Sequence, residues 1–452
     1  MSTPEGDEDW KDSVEVVDTK KVSLHQSVSF LESFIVLTLL LVNVILFALA
    51  NALVGAEEYI TLGIGNTTST SFKVYDFGLE SSFVLMNDAG AHGIAYLILL
   101  LSSVWPYVKT ILLVCMWLIP VTRTTREWTL WGIDLLGKWS LLDMFFIVIL
   151  GLAFNIKGGP GDLYIALGLL CTDGVYLFVL AAILSLSITQ YAVSVHHRVM
   201  YGKNGLKSKM GRVCLENQYV GKYIYFVLAA FLSAVSLWLF IWGASIPFFS
   251  FEYSGALTEL ITGTSNTTYT MANLGSSFPE ATFNQYGSGP TFFSFLYYMF
   301  IFVAPISLSI SIPVIWWCYV FDYDIKIRSS LLHWVQIVAA WAAPDVLVVA
   351  LGAGTVQLNI VIQQSIIQAS NQVHLFKYSG YQILENFCGS GSGTLLNMEC
   401  LAVNTKLHDG FFLVVGSILV TYLMTIPTAI LLSPKVHKHS PILEKQLDLE
   451  HN

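Results

Sequence analysis

Long apolar stretches separated by short polar segments dominate this chain. Each stretch reaches or approaches the roughly 20 apolar residues that a helix needs to cross a bilayer. The pattern predicts eight transmembrane helices, spans 1 to 8, at about 33–55, 91–119, 129–153, 163–193, 223–249, 291–320, 331–354 and 411–432. Two segments rich in strand-forming residues, SFKVYDFGL and TTYTMANLG, precede spans 2 and 6. The expected fold is an all-α membrane protein with small external β-like segments.

The second half of the sequence repeats the plan of the first. Span 3 carries the pattern Arg-x12-Trp-x3-Asp at Arg126, Trp139 and Asp143, and span 7 carries the same pattern 202 positions later. The offset between Pro106 and Pro305 is 199 positions. A nearly constant offset is the signature of an internal repeat. We therefore expect two tandem four-helix repeats, and because each has an even number of spans, both enter the membrane in the same orientation.

The expected division of the chain follows from this repeat. The predicted parts are a leader at 1–28, a first repeat at 29–198, a linker at 199–222, a second repeat at 223–433 with a long external loop at 355–410, and a tail at 434–452. The start of that loop, TVQLNIVIQQSIIQASNQ, could instead extend span 7 as a helix beyond the bilayer.

The composition indicates a membrane protein, and the distribution of positive charge predicts its orientation in the membrane. The chain is 55% hydrophobic and 12% charged, and its mean hydropathy is +0.64, whereas a soluble domain averages about 25% charged residues. Lys and Arg concentrate in the leader, the turns after spans 2 and 6, the linker and the tail. The other side of the membrane holds Lys73, Lys157, Lys377 and Lys406. Because cytoplasmic loops are enriched in Lys and Arg, both termini are expected in the cytoplasm.

The sequence contains candidate sites for two kinds of external modification, N-glycosylation and a disulfide bond. Asn66 and Asn266 each begin an Asn-Thr-Thr sequon, which predicts a glycoprotein if the chain passes through a secretory pathway. Cys388 and Cys400 share the last external loop. They either form a disulfide in an oxidising compartment or remain two free thiols.

The sequence lacks the usual marks of several functional classes. It has no nucleotide-binding glycine loop, no HExxH motif, no nucleophile elbow and no CxxC pair. We therefore expect no enzymatic activity, no cofactor, no metal site and no nucleic-acid partner.

Charged residues inside the apolar spans are the candidate functional groups. Asp143 and Asp345 lie near the middle of spans 3 and 7, and each follows a tryptophan, Trp139 or Trp341, by four positions. Residues four apart share a helix face. A charge at mid-bilayer costs roughly 2.5–3.5 kcal/mol on insertion scales, so it usually faces a cavity or a partner. The prediction is a polar cavity between the repeats that both Asp-Trp faces line; the alternative is that each Asp only holds a neighbouring helix.

Lysines suggest how these charges pair. Lys109 lies in mid-span 2 and is a candidate partner for Asp143, whereas Lys138 follows Asp134 by four positions and is expected to pair with it. Asp345 has no matching lysine in its own half. The resulting hypothesis makes Asp345 the proton-responsive member of the pair and Asp143 the ion-paired one. Pro106 and Pro305 are expected to kink spans 2 and 6.

The chain resembles the paraquat-inducible protein A family. The resemblance rests on SFKVYDFGLESSFVLMNDAGAHGIAYLILLLSSVWPYVK, an Arg-bearing turn and LLGKWSLLDMFFIVIL, and it covers roughly 30–200 and 223–433. Its marks are Pro106, Lys109, Arg126, Trp139 and Asp143, then Pro305, Arg328, Trp341 and Asp345. This chain lacks the zinc-ribbon cysteines of bacterial members and has Leu308 where a second Lys109 would stand. The absent zinc ribbons and the two sequons lean towards a eukaryotic relative, in a plasma membrane or endomembrane.

The resemblance implies a function. Bacterial members of the family are inner-membrane proteins that work with tube-forming periplasmic proteins, and the membrane subunit is thought to load or extract lipids. The expected function is therefore transport or extraction of lipids or other amphipathic molecules through the cavity between the repeats, with a possible lipid-transport partner protein. The alternative is a non-transporting scaffold, tetraspanin- or claudin-like in plan, which organises partners through its external loops.

Overall fold

A computed structural model describes residues 21, 23–64, 68–88, 90, 92–158, 163–205, 219–254, 266–282, 288–372, 374–375, 378–379 and 402–432. Asn66, Cys388, Cys400, the tail and most of the leader lie outside these residues. The α-helices are α1 (Leu24–Ser27), α2 (Phe30–Ala52), α3 (Leu79–Asp88), α4 (His92–Ile98), α5 (Trp105–Leu118), α6 (Arg123–Gly137), α7 (Leu142–Ala153), α8 (Asp173–Gly205), α9 (Tyr219–Ser245), α10 (Met271–Ala281), α11 (Ser288–Tyr298), α12 (Ala304–Val320), α13 (Ile325–Trp341), α14 (Pro344–Gln372) and α15 (Asp409–Leu432). The strands are β1 (Ala56–Ile64), β2 (Thr68–Phe77), β3 (Ile156–Gly158), β4 (Leu163–Cys171), β5 (Pro247–Ser254), β6 (Asn266–Thr270), β7 (His374–Leu375), β8 (Tyr378–Ser379) and β9 (Ala402–Leu407).

Eight helices in the described residues are long and apolar enough to cross a membrane, as the hydropathy pattern predicts. They cover Phe30–Ala52, Ala95–Leu118, Thr125–Ala153, Asp173–Val199, Lys222–Ser245, Gly289–Val320, Ser330–Thr355 and Asp409–Thr428. In its most apolar part, span 3 is 72% buried inside the protein, and span 5 is 22% buried. Span 3 is therefore central, whereas span 5 presents most of its surface to the bilayer.

Four of the spans contain a segment that departs from regular α-helix. In span 2 a π-helical segment, Leu99–Val104, joins α4 to α5, and in span 6 another, Met299–Val303, joins α11 to α12. In span 3 a 3-10 turn, Lys138–Leu141, separates α6 from α7. Span 7 is interrupted between Trp341 and Pro344. Irregular backbone at membrane depth is tolerated where it is buried in protein or lines a cavity.

All strands in the part of the chain that the structure describes lie in the connections after odd-numbered spans, and we call this side the sheet end. The first sheet has the order β2-β1-β4-β3 and the second β6-β5-β9, while β7 and β8 form a short ribbon. Adjacent strands in all three are antiparallel. The sheets thus tie the connection after span 1 to that after span 3, and the connection after span 5 to that after span 7.

The structure corrects two predicted boundaries and supports the alternative given for a third. Span 4 does not begin near residue 163, because LYIALGLLC forms strand β4 against β1 and the helix starts at Asp173. Hydropathy cannot separate a buried apolar strand from a helix. Within TTYTMANLG only the first part is strand, since helix α10 begins at Met271. The segment after span 7 continues as helix to Gln372, so the predicted loop 355–410 begins as an extension of that span.

The two halves meet along α7 and α14, the helices that follow the interruptions of spans 3 and 7. An ideal Cβ at Gly354 of α14 would lie 3.8 Å from the Ile149 side chain of α7. Phe145 of α7 packs edge-on against Tyr297 of span 6, with ring centroids 6.5 Å apart. Both tryptophan-aspartate motifs therefore lie beside the central contact of the molecule.

Spans 5 and 8 approach each other closely through small residues. A Cβ at Gly410 would lie 2.6 Å from the backbone oxygens of both Gly243 and Pro247. Farther along the same contact, Ser236 and Ser417 are hydrogen-bonded through their hydroxyls at 3.0 Å. Small residues of this kind let the backbones of membrane helices come together.

Gly410→Ala should separate spans 5 and 8, because its new methyl group would meet backbone atoms that have no rotamer to change. Overpacking costs about 1–3 kcal/mol, so the melting temperature of the purified protein in detergent should fall clearly. Gly416→Ala on the same helix is the control, since its nearest neighbour is a Leu239 methyl at 3.8 Å. Equal melting temperatures for the two variants would contradict the close approach.

Glu58 on β1 is a buried carboxyl group outside the spans. Its two oxygens have no hydrogen-bond partner in the part of the chain that the structure describes. Burial raises the pKa of Glu58 from the ordinary glutamate value of 4.5 to about 8. The folded protein therefore keeps this proton over a range of pH in which the unfolded chain releases it.

Glu58 should make the protein less stable as the pH rises. Its contribution is fully present below pH 4.5, declines by up to about 1.4 kcal/mol per pH unit, and is lost above about pH 8. Glu58→Gln should flatten the fall in melting temperature between pH 5 and pH 8. Glu57→Gln is the control, because Lys73 binds Glu57 at 2.7 Å and lowers its pKa, which confines its effect to acid pH. An unchanged slope in Glu58→Gln would show that other groups cause it.

Candidate functional site

Span 7 is interrupted within its apolar stretch. Helix α13 ends at Trp341, Ala342 and Ala343 are not helical, and α14 begins at Pro344. Proline has no N–H to continue the hydrogen bonds of α13, and its fixed φ suits the first position of a helix. Asp345 consequently lies in the first turn of α14.

Span 6 supports this interruption from one side. The backbone N–H of Ala343 donates to the carbonyl oxygen of Phe300 at 3.1 Å, and Phe300 lies in the π-helical segment of span 6. The Phe300 ring also stacks on the Trp341 indole, with centroids 5.6 Å apart and an angle of 16°. Trp341 therefore holds the interrupted helix against its neighbour.

Lys138 of span 3 supports the interruption from the other side. Its Nζ lies 2.8 Å from Oδ2 of Asp345. It also donates to the carbonyl oxygen of Ala342 at 3.0 Å and to the hydroxyl oxygen of Tyr422 at 3.0 Å. The Tyr422 hydroxyl donates in turn to Oδ2 of Asp345 at 2.5 Å. An ammonium group has three protons, so Lys138 has one acceptor for each.

The helix dipoles favour this arrangement of charges. The carbonyl end of α13 carries partial negative charge and faces the Lys138 ammonium, while the amide end of α14 carries partial positive charge and holds Asp345. The side chains of Lys138 and Asp345 are 6% and 12% exposed. The other oxygen of Asp345, Oδ1, has no partner among the described residues. The result is a buried ion pair that links the two halves across a broken helix.

A cavity of about 50 Å³ adjoins this ion pair. Besides Lys138, Asp345 and Tyr422, its walls carry four hydroxyl groups, and the remainder is mostly apolar. The hydroxyl-bearing residues are Ser309, Ser417, Thr421 and Thr425, and the others are Leu237, Phe240, Pro305, Leu308, Ala339, Ala342, Pro344 and Ile418. The cavity thus lies within the second half, and the first half contributes Lys138.

The expected pairing of the charges is wrong in two respects. Within the described residues, no ion pair within 4.0 Å joins Lys138 to Asp134 or Lys109 to Asp143. Asp134 instead accepts a hydrogen bond from the amide of Gln190. The i,i+4 rule fails for Lys138 because α6 ends at Gly137 and Lys138 begins a 3-10 turn, which changes the direction of its side chain.

Lys109 is buried near Asp134 rather than Asp143. It is 1% exposed, and its Nζ has no hydrogen-bond partner among the described residues. A Cβ at Gly137 would lie 3.0 Å from that nitrogen, so the lysine packs directly against the end of α6. The Asp134 carboxylate attracts the Lys109 ammonium group electrostatically.

Asp143 and Asp345 do not share a cavity in this structure. Asp143 lines a second cavity, beneath the first sheet, and Asp345 lines the cavity in the second half. Lys109, Trp139 and Trp341 line neither of these two cavities, and both tryptophans pack against the hydrophobic core. Pro106 and Pro305 each lie in the first turn of the helix that follows a π-helical segment.

Sequence reasoning missed Tyr422, Gln190 and the carbonyl of Ala342. Tyr422 is a phenol in the middle of an apolar span, which is a usable signal, whereas the Ala342 carbonyl has no signal beyond the following Pro344.

Within the described ranges, no three His, Cys, Asp or Glu side chains come together as a metal site would require. Comparison of the chain with protein-family models, curated proteins and solved structures gives no match.

Lys138→Met and Asp345→Asn should each destabilise the protein, since each leaves a buried charged group without its partner. Breaking a buried pair in this way costs about 3–5 kcal/mol. The double variant should recover part of the loss, because no uncompensated charge remains while the Ala342 carbonyl oxygen still lacks its donor. Melting temperatures of the four proteins in one detergent give the coupling between the two residues.

The matched control is Lys73→Met. Lys73 pairs with Glu57 on the first sheet at 2.7 Å, but its side chain is 43% exposed, and exposed pairs contribute about 0–1 kcal/mol. If the Lys138 and Asp345 effects simply added in the double variant, the two residues would not act as a pair.

Proposed function

We propose that this chain is an integral membrane protein that transports or extracts a lipid or another amphipathic molecule. The observation that carries the proposal is the ion pair of Lys138 and Asp345 beside a cavity at a helix break. Ionisable residues within membrane spans commonly mark substrate or ion paths. In known transporters, interrupted helices place their ends at the binding site.

The composition of the cavity supports an amphipathic substrate. Apolar side chains form most of its walls, and the polar groups are a few hydroxyls and the ion pair. In sites of this composition a small number of polar contacts orient the ligand, and at about 50 Å³ this cavity holds the polar head of an amphipathic molecule rather than the whole of it. Because Lys138 comes from span 3 and the remaining walls from spans 5 to 8, movement between the halves would change the cavity. This is how a transporter could load and release its substrate.

We further propose that the chain consists of two tandem four-helix repeats. The sequence offset supports this division, and so do the π-helical segments that precede Pro106 and Pro305. Both Trp-x3-Asp motifs also lie at an interruption of their span. The proposed relation to the paraquat-inducible protein A family rests on the same motifs. It brings with it the proposal of a lipid-transport partner protein.

The proposed orientation follows the distribution of Lys and Arg and places both termini in the cytoplasm. The sheet end is then external or lumenal. Asn266 begins β6 there and is exposed, which makes it a reasonable glycan acceptor. The membrane is a plasma membrane or an endomembrane if the protein is eukaryotic.

A non-transporting scaffold is the second candidate, and one observation favours it. All three protons of the Lys138 ammonium have acceptors within the protein. A saturated ion pair is suited to holding two halves together and leaves no donor for a substrate. A scaffold would use the pair as a permanent link, whereas a transporter would rearrange it during its cycle.

Lipid analysis of the purified protein distinguishes the two candidates. The Lys138→Met/Asp345→Asn double variant keeps the charge balance but removes both charges from the wall of the cavity. If the cavity binds a substrate, mass spectrometry should find a lipid class enriched at least fivefold with the wild type and lost from the double variant. Preparations should be matched in expression and detergent.

Asp173→Asn is the control, because Asp173 is an exposed carboxylate at the start of span 4 and lines neither cavity. It should retain the wild-type lipid profile. Identical lipid profiles for all three proteins would reject the substrate cavity and favour the scaffold.

A further inference from the structure

A second cavity of about 50 Å³ lies where the first sheet meets the membrane. Its walls come from the end of span 1, the first strands, α3 and the start of span 4. Asp143 reaches it from span 3, one residue into α7. The cavity therefore belongs to the first half and is separate from the one beside Asp345.

Asp143 differs from Asp345 in having no cation beside it. Among the residues that the structure describes, the Asp143 carboxylate has no hydrogen-bond or ion-pair partner. Lys138 is bound to Asp345, and Lys109 lies at Asp134. A carboxylate in this environment is costly unless a proton or a cation neutralises it.

The other walls suit a positively charged organic group. The Asn51 amide nitrogen donates to the Tyr107 hydroxyl at 3.1 Å, which leaves the amide oxygen as an acceptor. Phe77, Phe146 and Phe178 also line the cavity, and aromatic rings attract ammonium groups. An inorganic divalent cation would need about six or more oxygen ligands, and this lining cannot provide them.

The size of the cavity limits what enters it. A cavity needs roughly 10–15 Å³ of such volume to hold one water molecule, so this one accommodates a small head group but no acyl chain. Leu53 lines it at the end of span 1 and is 43% exposed. Access from the bilayer side would let the head of a ligand enter while its tail remains in the membrane.

We infer that Asp143, Asn51 and the surrounding phenylalanines form a binding site for the ammonium group of an amine-bearing amphiphile. The carboxylate forms the ion pair, the Asn51 oxygen accepts a hydrogen bond from the ammonium, and the rings surround the remainder. This site is independent of the proposed transport cavity, since it shares no lining residue with it.

Native mass spectrometry of the delipidated full-length protein tests the inference. The probes are phosphatidylethanolamine, its N-acetyl derivative, which has no ammonium, and phosphatidylglycerol, all with the same acyl chains. Wild-type protein should bind phosphatidylethanolamine at least fivefold more than either of the others. Asp143→Asn should abolish this preference, and the Asp173→Asn control should keep it. Asn51→Asp combined with Asp143→Asn should restore part of it, because the carboxylate then lies on another wall.

The outcomes separate the possible sources of the ammonium. A wild-type preference that free ethanolamine displaces supports the site and identifies a soluble amine as a second ligand, whereas resistance to ethanolamine supports the lipid alone. Equal binding of the three lipids, or a preference that survives in Asp143→Asn, would overturn the inference. If Asp143→Asn does not fold, the comparison of phosphatidylethanolamine with its N-acetyl derivative on wild-type protein still tests the inference, because equal binding of the two would show that the ammonium group is not recognised. Lipid loss from the Lys138 and Asp345 variants has no bearing on this result.

Discussion

An interrupted helix inside a membrane must find hydrogen-bond partners within the protein, because the bilayer core has no water to supply them. This constraint organises the centre of the molecule. The N–H of Ala343 is satisfied by Phe300 of span 6, and the carbonyl of Ala342 by Lys138 of span 3. Lys138 in turn requires an anion, which Asp345 provides with Tyr422 of span 8. Four spans are thus fixed relative to one another by a single break, and the break is possible only because all four are present.

The sequence was sufficient for the spans but not for their interruptions. Each span is a long apolar run, and burial of such runs in lipid is determined by composition. The strand β4 escaped recognition because it pairs with β1 residues that lie 99 to 115 positions away, and no local pattern records that contact. The change from α-helix to a 3-10 turn at Lys138 was equally difficult to predict from the local sequence. Gly137 and Pro344 are the only local hints of the two breaks, and both residue types also occur in continuous membrane helices.

The candidate site shows the same limit. Sequence reasoning selected Lys138, Asp345 and Asp143 because charges are rare in membrane spans, and it did not find their arrangement. It assigned Lys138 to its sequence neighbour Asp134, whereas the structure gives it to Asp345, 207 positions away. The two aspartates therefore exchange the environments expected for them: Asp345 is ion-paired, and Asp143 faces a cavity without a cation from the described residues. The two positions that share the Trp-x3-Asp motif thus differ in their chemistry.

That difference bears on whether the central ion pair is only structural. A buried pair commonly stabilises a protein no more than apolar residues of the same volume would, so rigidity alone does not require Lys138 and Asp345. The scaffold candidate needs a link between the halves and a donor for the Ala342 carbonyl oxygen, and an uncharged amide side chain could supply both. The pair also borders a cavity, and one oxygen of Asp345 has no partner among the described residues. A charge that is costly to bury, that an uncharged donor could replace and that borders a cavity supports the proposed function, in which a polar ligand reaches it.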